Sequence, residues 1–231
     1  MIICRSKGFI FIRVPKTASS SISKHLCSKI TFDQNDAYSE FAGYPALNVH
    51  AVNDRKHEHA TLSQFLESKI ITQKDLDTLN IYGVLRNPID RTISMFSHVL
   101  KNFEKKDISS YTKNDIIDLG LKIFNNSPMK YFYSKPIKST EKFTQVYAFL
   151  PQTFWLVHNC KPISNVLIYP NFSPFLETYT GTPKLDFNLK VTRKYPESQR
   201  INSSYIVELK KLFFNDFEMW EKYTNSYAVT Y

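Results

Sequence analysis

The most constraining feature of the chain is a unit that occurs twice: a short, unbroken apolar run, a Pro-containing turn, and then apolar residues at helical spacing. The first copy runs from Gly8 to Val14, stops at Pro15, and is followed by Ser19-Ser20-Ser21 and by Ile22, Leu26 and Ile30 at four-residue intervals. The second is Ile81-Tyr82-Gly83-Val84-Leu85, stopped by Arg86-Asn87-Pro88, with Ile89, Ile93, Phe96 and Leu100 marking one helical face. An apolar run without polar alternation suits a strand buried on both faces, as in a parallel sheet covered by helices. Asn165 to Tyr169 reads as a third such strand. The expectation is an α/β protein: a single domain over residues 1–231 with a central, mostly parallel sheet flanked by helices.

Capping residues mark the other helices. Thr61 and Thr72 open short ones, Thr112 with Asp115 opens another through Ile116, Leu119 and Ile123, and Ser173 to Thr180 closes at Gly181. The last helical region, Tyr205 to Tyr223, carries a break near Asn215. Residues 31 to about 58 lack periodicity and read as a long surface connection, of the kind that often carries function.

Thirty Lys and Arg against 21 Asp and Glu leave a net charge of +9, which favours an anionic partner: a nucleotide, a nucleic acid or an acidic polysaccharide. The apolar runs near the N-terminus are broken by Arg5, Lys7 and Arg13, and none elsewhere approaches the roughly 18 residues of a membrane span. A soluble, cytoplasmic protein is expected. Cys4, Cys27 and Cys160 are odd in number and scattered, which fits reduced thiols rather than a disulfide framework or a metal site.

In a parallel sheet the turn from strand to helix gathers backbone amides and the positive helix end at one edge, which makes it an anion site. The first turn reads Val14-Pro15-Lys16-Thr17-Ala18-Ser19-Ser20-Ser21. It is either a phosphate cradle of one lysine, amides and hydroxyls, or a serine-rich helix cap beside a solvated lysine. At the second turn, Arg86 falls at a strand end and Ser94 lies two helical turns further on. An Arg fork with a hydroxyl is a clamp for a second phosphate. The alternative is that Arg86 caps a carbonyl while Arg91 pairs with Asp90 or Asp118 at the surface. No Gly-x-x-x-x-Gly-Lys-Ser/Thr occurs, which argues against a conventional ATP loop. An atypical nucleotide-dependent kinase and a non-enzymatic, polyanion-binding basic module are the competing functional classes.

Together the two segments resemble the signature pair of sulfotransferases that use 3′-phosphoadenosine 5′-phosphosulfate (PAPS), in the carbohydrate-directed, Golgi-type and bacterial branch. Pro15-Lys16-Thr17-Ala18-Ser19-Ser20-Ser21 matches the family's Pro-Lys-Thr-Ala/Gly-Gly-Thr-Ser loop. Arg86-Asn87-Pro88, Arg91 and Ser94 match its second motif, in which a Ser follows the first Arg by eight residues. His59-Ala60-Thr61, Leu150-Pro151-Gln152 and Phe214-Asn215-Asp216-Phe217-Glu218 look like further features of that branch. The chain departs at Ser19, where the family usually has Gly and a left-handed backbone would be strained. It departs again at Pro170-Asn171-Phe172, in place of a Glu-Asn-Leu element.

The resemblance implies a P-loop-like sulfotransferase fold, PAPS as co-substrate, adenosine 3′,5′-bisphosphate (PAP) as product, no metal, and no nucleic acid partner. The acceptor is then a hydroxyl compound, with a carbohydrate the expectation. Lys16 would reach the bridging oxygen of the leaving group, and Thr17, Ala18, Ser19, Ser20 and Ser21 would hold the 5′-phosphate. Arg86 and Ser94 would grip the 3′-phosphate, and Arg193-Lys194 would close over the same nucleotide. His59 is the expected general base, with His50, His57 and Glu58 as rivals. Trp155, Tyr131 and Tyr133 stand either as sugar-stacking platforms or as core. Lys101, Lys105 and Lys106 sit among Glu104 and Asp107 and read as a mixed-charge surface or an acceptor contact.

Overall fold

The structure, a computed structural model, describes residues 1–38, 47, 59–126, 149–185 and 199–228. They divide into two compact units. The first comprises Met1–Arg86, Gln152–Lys190 and Tyr223–Tyr231, and the second Asn87–Pro151 and Val191–Lys222.

The first unit is built on a five-stranded sheet. Strand β1 (Ile2–Cys4) turns through Arg5 to Gly8, where Gly8 takes φ 73°, and pairs antiparallel with β2 (Phe9–Ile12). Helix α1 (Ser19–Lys29) and the two-residue strand β3 (Ala37–Tyr38) follow, then α2 (Leu62–Glu67), α3 (Gln73–Thr78) and β4 (Asn80–Leu85). Later in the chain the unit adds α6 (Thr153–Leu156), the hairpin β5 (Val157–His158) and β6 (Lys161–Pro162), β7 (Asn165–Ile168) and α7 (Ser173–Thr180). The sheet order is β3-β1-β2-β4-β7. The three strands legible as unbroken apolar runs, β2, β4 and β7, pair in parallel. The two pairings made by β1 are antiparallel, so the sheet is mixed.

Strand β2 is central, and all four of its residues are completely buried, as an unbroken apolar run requires. Phe9 and Phe11 pack with Ile22 and Leu26 of α1 and with Phe175 and Leu176 of α7. Helix α6 lies so close to β4 that a Cβ at Gly83 would fall 2.5 Å from Leu156 Cδ2. Thr61 and Thr72 cap α2 and α3 in full capping boxes. Asp75, the reciprocal partner of Thr72, also receives two bonds from the Arg5 guanidinium at 2.8 and 2.9 Å. The Arg5 contact, reinforced by Thr72, holds the Asp75 carboxyl below the usual carboxylate range.

The second unit is helical among its described residues. Helix α4 (Pro88–Asn102) begins with Pro in its first turn and is capped by Asn87. Helix α5 (Lys113–Asn126) begins at the Thr112–Asp115 box; α8 (Ser203–Leu212) and α9 (Phe214–Ala228) complete the element list. The break expected near Asn215 in the last helical region falls at Phe213. Phe96, Leu100, Ile116, Ile117, Leu209 and Phe213 form the core of this unit. Arg91 is not on the surface, as one sequence reading had it. Its side chain is 1% exposed, 3.9 Å from an equally buried Asp216, and it donates to the Leu150 carbonyl. Asp118 pairs instead with Lys122.

Candidate active site

Strands β2 and β4 are parallel neighbours, paired from Phe9 with Asn80 to Ile12 with Gly83, so both open on the same edge of the sheet. The chain leaves β2 into the Arg13-to-Ser21 turn and leaves β4 at Arg86. The topology alone therefore brings Arg86 to the edge where the first motif lies.

The first turn is organised around one carbonyl. Val14 O accepts the hydroxyl of Thr17 at 2.9 Å and that of Ser19 at 2.8 Å, and both of these side chains are buried. The hydroxyl protons of Thr17 and Ser19 thus shape the loop, and their amides are what they offer to a ligand. Lys16 and Ala18 take left-handed φ angles of 66° and 65°. Each such non-glycine residue costs about 1 kcal/mol or more, a strain that concentrates in ligand-binding turns. The left-handed positions are thus not at Ser19, which begins α1 in helical conformation and tolerates a side chain there.

The serines do not cap the helix. The cap position is Ala18, which has no side-chain acceptor, and Ser19, Ser20 and Ser21 lie inside the first turn. The first amides of this segment to find a carbonyl are those of Ser21 and Ile22, both bonded to Ala18 O. Among the described residues no acceptor takes the amides of Thr17, Ala18, Ser19 or Ser20. Four such donors at a helix N-terminus, beside a lysine, are an arrangement able to accept an anion.

The second turn is held from below by Gln152, which is fully buried. Its Oε1 accepts from the Arg86 amide at 2.8 Å and its Nε2 donates to the Arg86 carbonyl at 2.9 Å. The guanidinium lies 4.8 Å from the centre of the Tyr169 ring, and Nη1 donates to the Lys16 carbonyl at 3.1 Å. Arg86 does cap a carbonyl, and that carbonyl belongs to the first motif. Its Nε is buried with no partner among the described residues. Ser94 belongs to the helical unit, half-buried on α4 between buried Ile93 and Met95.

His59 is anchored at the same strand end. Its Nδ1 lies 2.7 Å from the carbonyl of Arg13. A carbonyl can only accept, so Nδ1 carries the proton and the neutral ring keeps its basic lone pair on Nε2. The His59 carbonyl in turn accepts the Trp155 indole N–H at 2.6 Å. Trp155 is 1% exposed, so it is core and support for His59 rather than a platform for sugar. His50, His57, Glu58, Tyr131, Tyr133, Arg193 and Lys194 lie outside the described residues.

Three contributors were not assigned a role from sequence: Gln152, Tyr169 and Arg13. Arg13 read only as an interruption of an apolar run, yet its side chain is fully buried and its Nη2 donates to Ser20 Oγ at 3.0 Å. A charged residue inside a stretch otherwise suited to a buried strand is the signal that could have found it. Burial pushes the Cys27 thiol up to about 12 and raises Cys4 as well, which keeps these two thiols protonated. Among the described residues no group of His, Cys, Asp or Glu is placed to hold a metal ion, and no helix is long and apolar enough to cross a membrane.

Fold and site together define an α/β protein whose adjacent parallel strand ends bring Lys16 and Arg86 to one edge of the sheet. A family model described as the sulfotransferase family matches residues 1–180 of the chain, and the chain belongs to that family. No curated protein and no solved structure matches it. The family supports a sulfotransfer activity acting on a hydroxyl-bearing acceptor.

Proposed function

We propose that the chain transfers a sulfuryl group from PAPS to a hydroxyl of a carbohydrate, releasing PAP. The observation that carries this reading is the bond from Arg86 to the Lys16 carbonyl, which joins the two motif loops at neighbouring strand ends. Four amides without acceptors and a buried Arg86 Nε without a partner among the described residues suit a ligand with separated phosphates.

In this reading the turn acts as a P-loop-like cradle. The amides of Thr17, Ala18, Ser19 and Ser20, with the hydroxyls of Ser20 and Ser21, bind the 5′-phosphate. Arg86 binds the 3′-phosphate, a group that ATP lacks. Ser94, Arg193 and Lys194 join the nucleotide ligands on the resemblance alone. His59 takes the proton of the acceptor hydroxyl through Nε2 as that oxygen bonds to sulfur. Lys16 meets the negative charge that builds on the phosphate oxygen as the sulfur–oxygen bond breaks. The logic parallels phosphoryl transfer, in which stabilising the leaving group dominates.

The test is transfer of radiolabelled sulfate from PAPS to a panel of glycans. Labelled product with at least one glycan is the expected result. Release of PAP with no acceptor on the panel labelled, but with a phenol or small alcohol labelled, would replace the carbohydrate with another hydroxyl class.

A further inference from the structure

We propose that Arg13 is a positioning residue that acts through Ser20, turning that hydroxyl into a polarised donor for the dianionic 5′-phosphate. The inference rests on the proposed nucleotide site. Arg13 follows β2 directly and is completely buried, a costly place for a cation unless its charge is used. A guanidinium has no acceptor, so the 3.0 Å bond between Nη2 and Ser20 Oγ has one direction: Arg13 donates and the serine oxygen accepts.

Two consequences follow for Ser20. Its oxygen is engaged by a cationic donor, so its own O–H is a stronger donor than that of an ordinary serine. Its residue is exposed, in the first turn of α1 beside the amides of Thr17, Ala18 and Ser19, which have no acceptor among the described residues. That proton is therefore available to an anion held by those amides. The buried charge of Arg13 also adds to the positive end of α1.

Arg13 has a second connection, made by its main chain. Its carbonyl is the acceptor that fixes the His59 tautomer. Replacing the side chain leaves that carbonyl in place, which separates the two roles experimentally. Removing the guanidinium should weaken nucleotide binding while the pH dependence of kcat, set by His59, stays where it was.

The experiment is a double-mutant cycle on PAP affinity, measured by calorimetry, with Arg13→Met, Ser20→Ala and the double variant. Each single variant is expected to weaken binding by about tenfold or more, the worth of one charge-assisted hydrogen bond. The double variant should lie within about twofold of the weaker single one. Equal, multiplicative losses would mean that Arg13 only supports the fold, and would overturn the proposal. So would a shifted kcat pH profile in Arg13→Met. Should Arg13→Met fail to fold, Ser20→Ala decides alone. A tenfold loss of PAP affinity with a lower melting temperature of the free protein supports the bond, whereas a wild-type value of either overturns it. A wild-type chain that binds no PAP would undo the proposed function itself, and this inference with it.

Discussion

Arg86→Ala distinguishes a nucleotide clamp from a structural cap. In the free protein the guanidinium makes one charged hydrogen bond to Lys16 O, worth about 1.5–3 kcal/mol, and a contact with Tyr169 worth about 0.5–1 kcal/mol. Against these stands a buried Nε with no partner among the described residues, which destabilises by about 1–3 kcal/mol. The opposing contributions nearly cancel, so Arg86→Ala should move the melting temperature of the free protein by only a few degrees. Binding should respond differently. If the unused donors meet the 3′-phosphate, their loss removes about 1.5–3 kcal/mol, roughly 10- to 150-fold in PAP affinity. Adenosine 5′-monophosphate lacks that phosphate, and its affinity should change less than about threefold. Calorimetric titration of both ligands into both proteins, with a thermal melt of each, gives all the quantities. Equal losses for the two ligands, or a large fall in melting temperature with little change in affinity, would refute the clamp and leave only the cap.

Lys16→Ala should lower kcat by about two orders of magnitude or more while PAP affinity changes much less, because its charge is used as the leaving group departs; steady-state kinetics beside calorimetry checks this. His59→Ala should lower kcat about 10²- to 10⁴-fold with nucleotide affinity unchanged, whereas His50→Ala, His57→Ala and Glu58→Gln should stay near wild type; loss in one of those instead would move the base to that residue. A carboxyl held below its ordinary value contributes stability that is present above that value and lost as pH falls through the depressed one. The Asp75 contribution is therefore complete above its ordinary 3.8 and disappears at more acid pH. Asp75→Asn should be less stable at neutral pH and should show a shallower loss as the pH falls below the ordinary carboxylate value of 3.8, measured by urea unfolding at successive pH values.

What the sequence made legible were the features set by local rules. Unbroken apolar runs located β2, β4 and β7, because a strand covered on both faces needs no polar alternation. Thr61 and Thr72 marked helix starts, because a capping box is complete within four residues. Strand β1 escaped notice because three residues carry no periodicity; its burial comes from pairing with β2. The roles of Gln152 and Tyr169 depend on Arg86, which is far away in sequence, 66 positions from Gln152. No spacing rule reports such contacts. The position of the left-handed residues was not legible for a related reason. The Val14 carbonyl gathers the Thr17 and Ser19 hydroxyls, and that bonding puts the sharp turns at Lys16 and Ala18.

The most direct measurement is a calorimetric titration of the unmodified chain with PAP, set beside ATP under the same buffer and salt. A site built from a 5′-phosphate cradle and Arg86 should take up one equivalent of PAP at least about tenfold more tightly than ATP. Tighter binding of ATP, or no uptake of PAP at all, would contradict it.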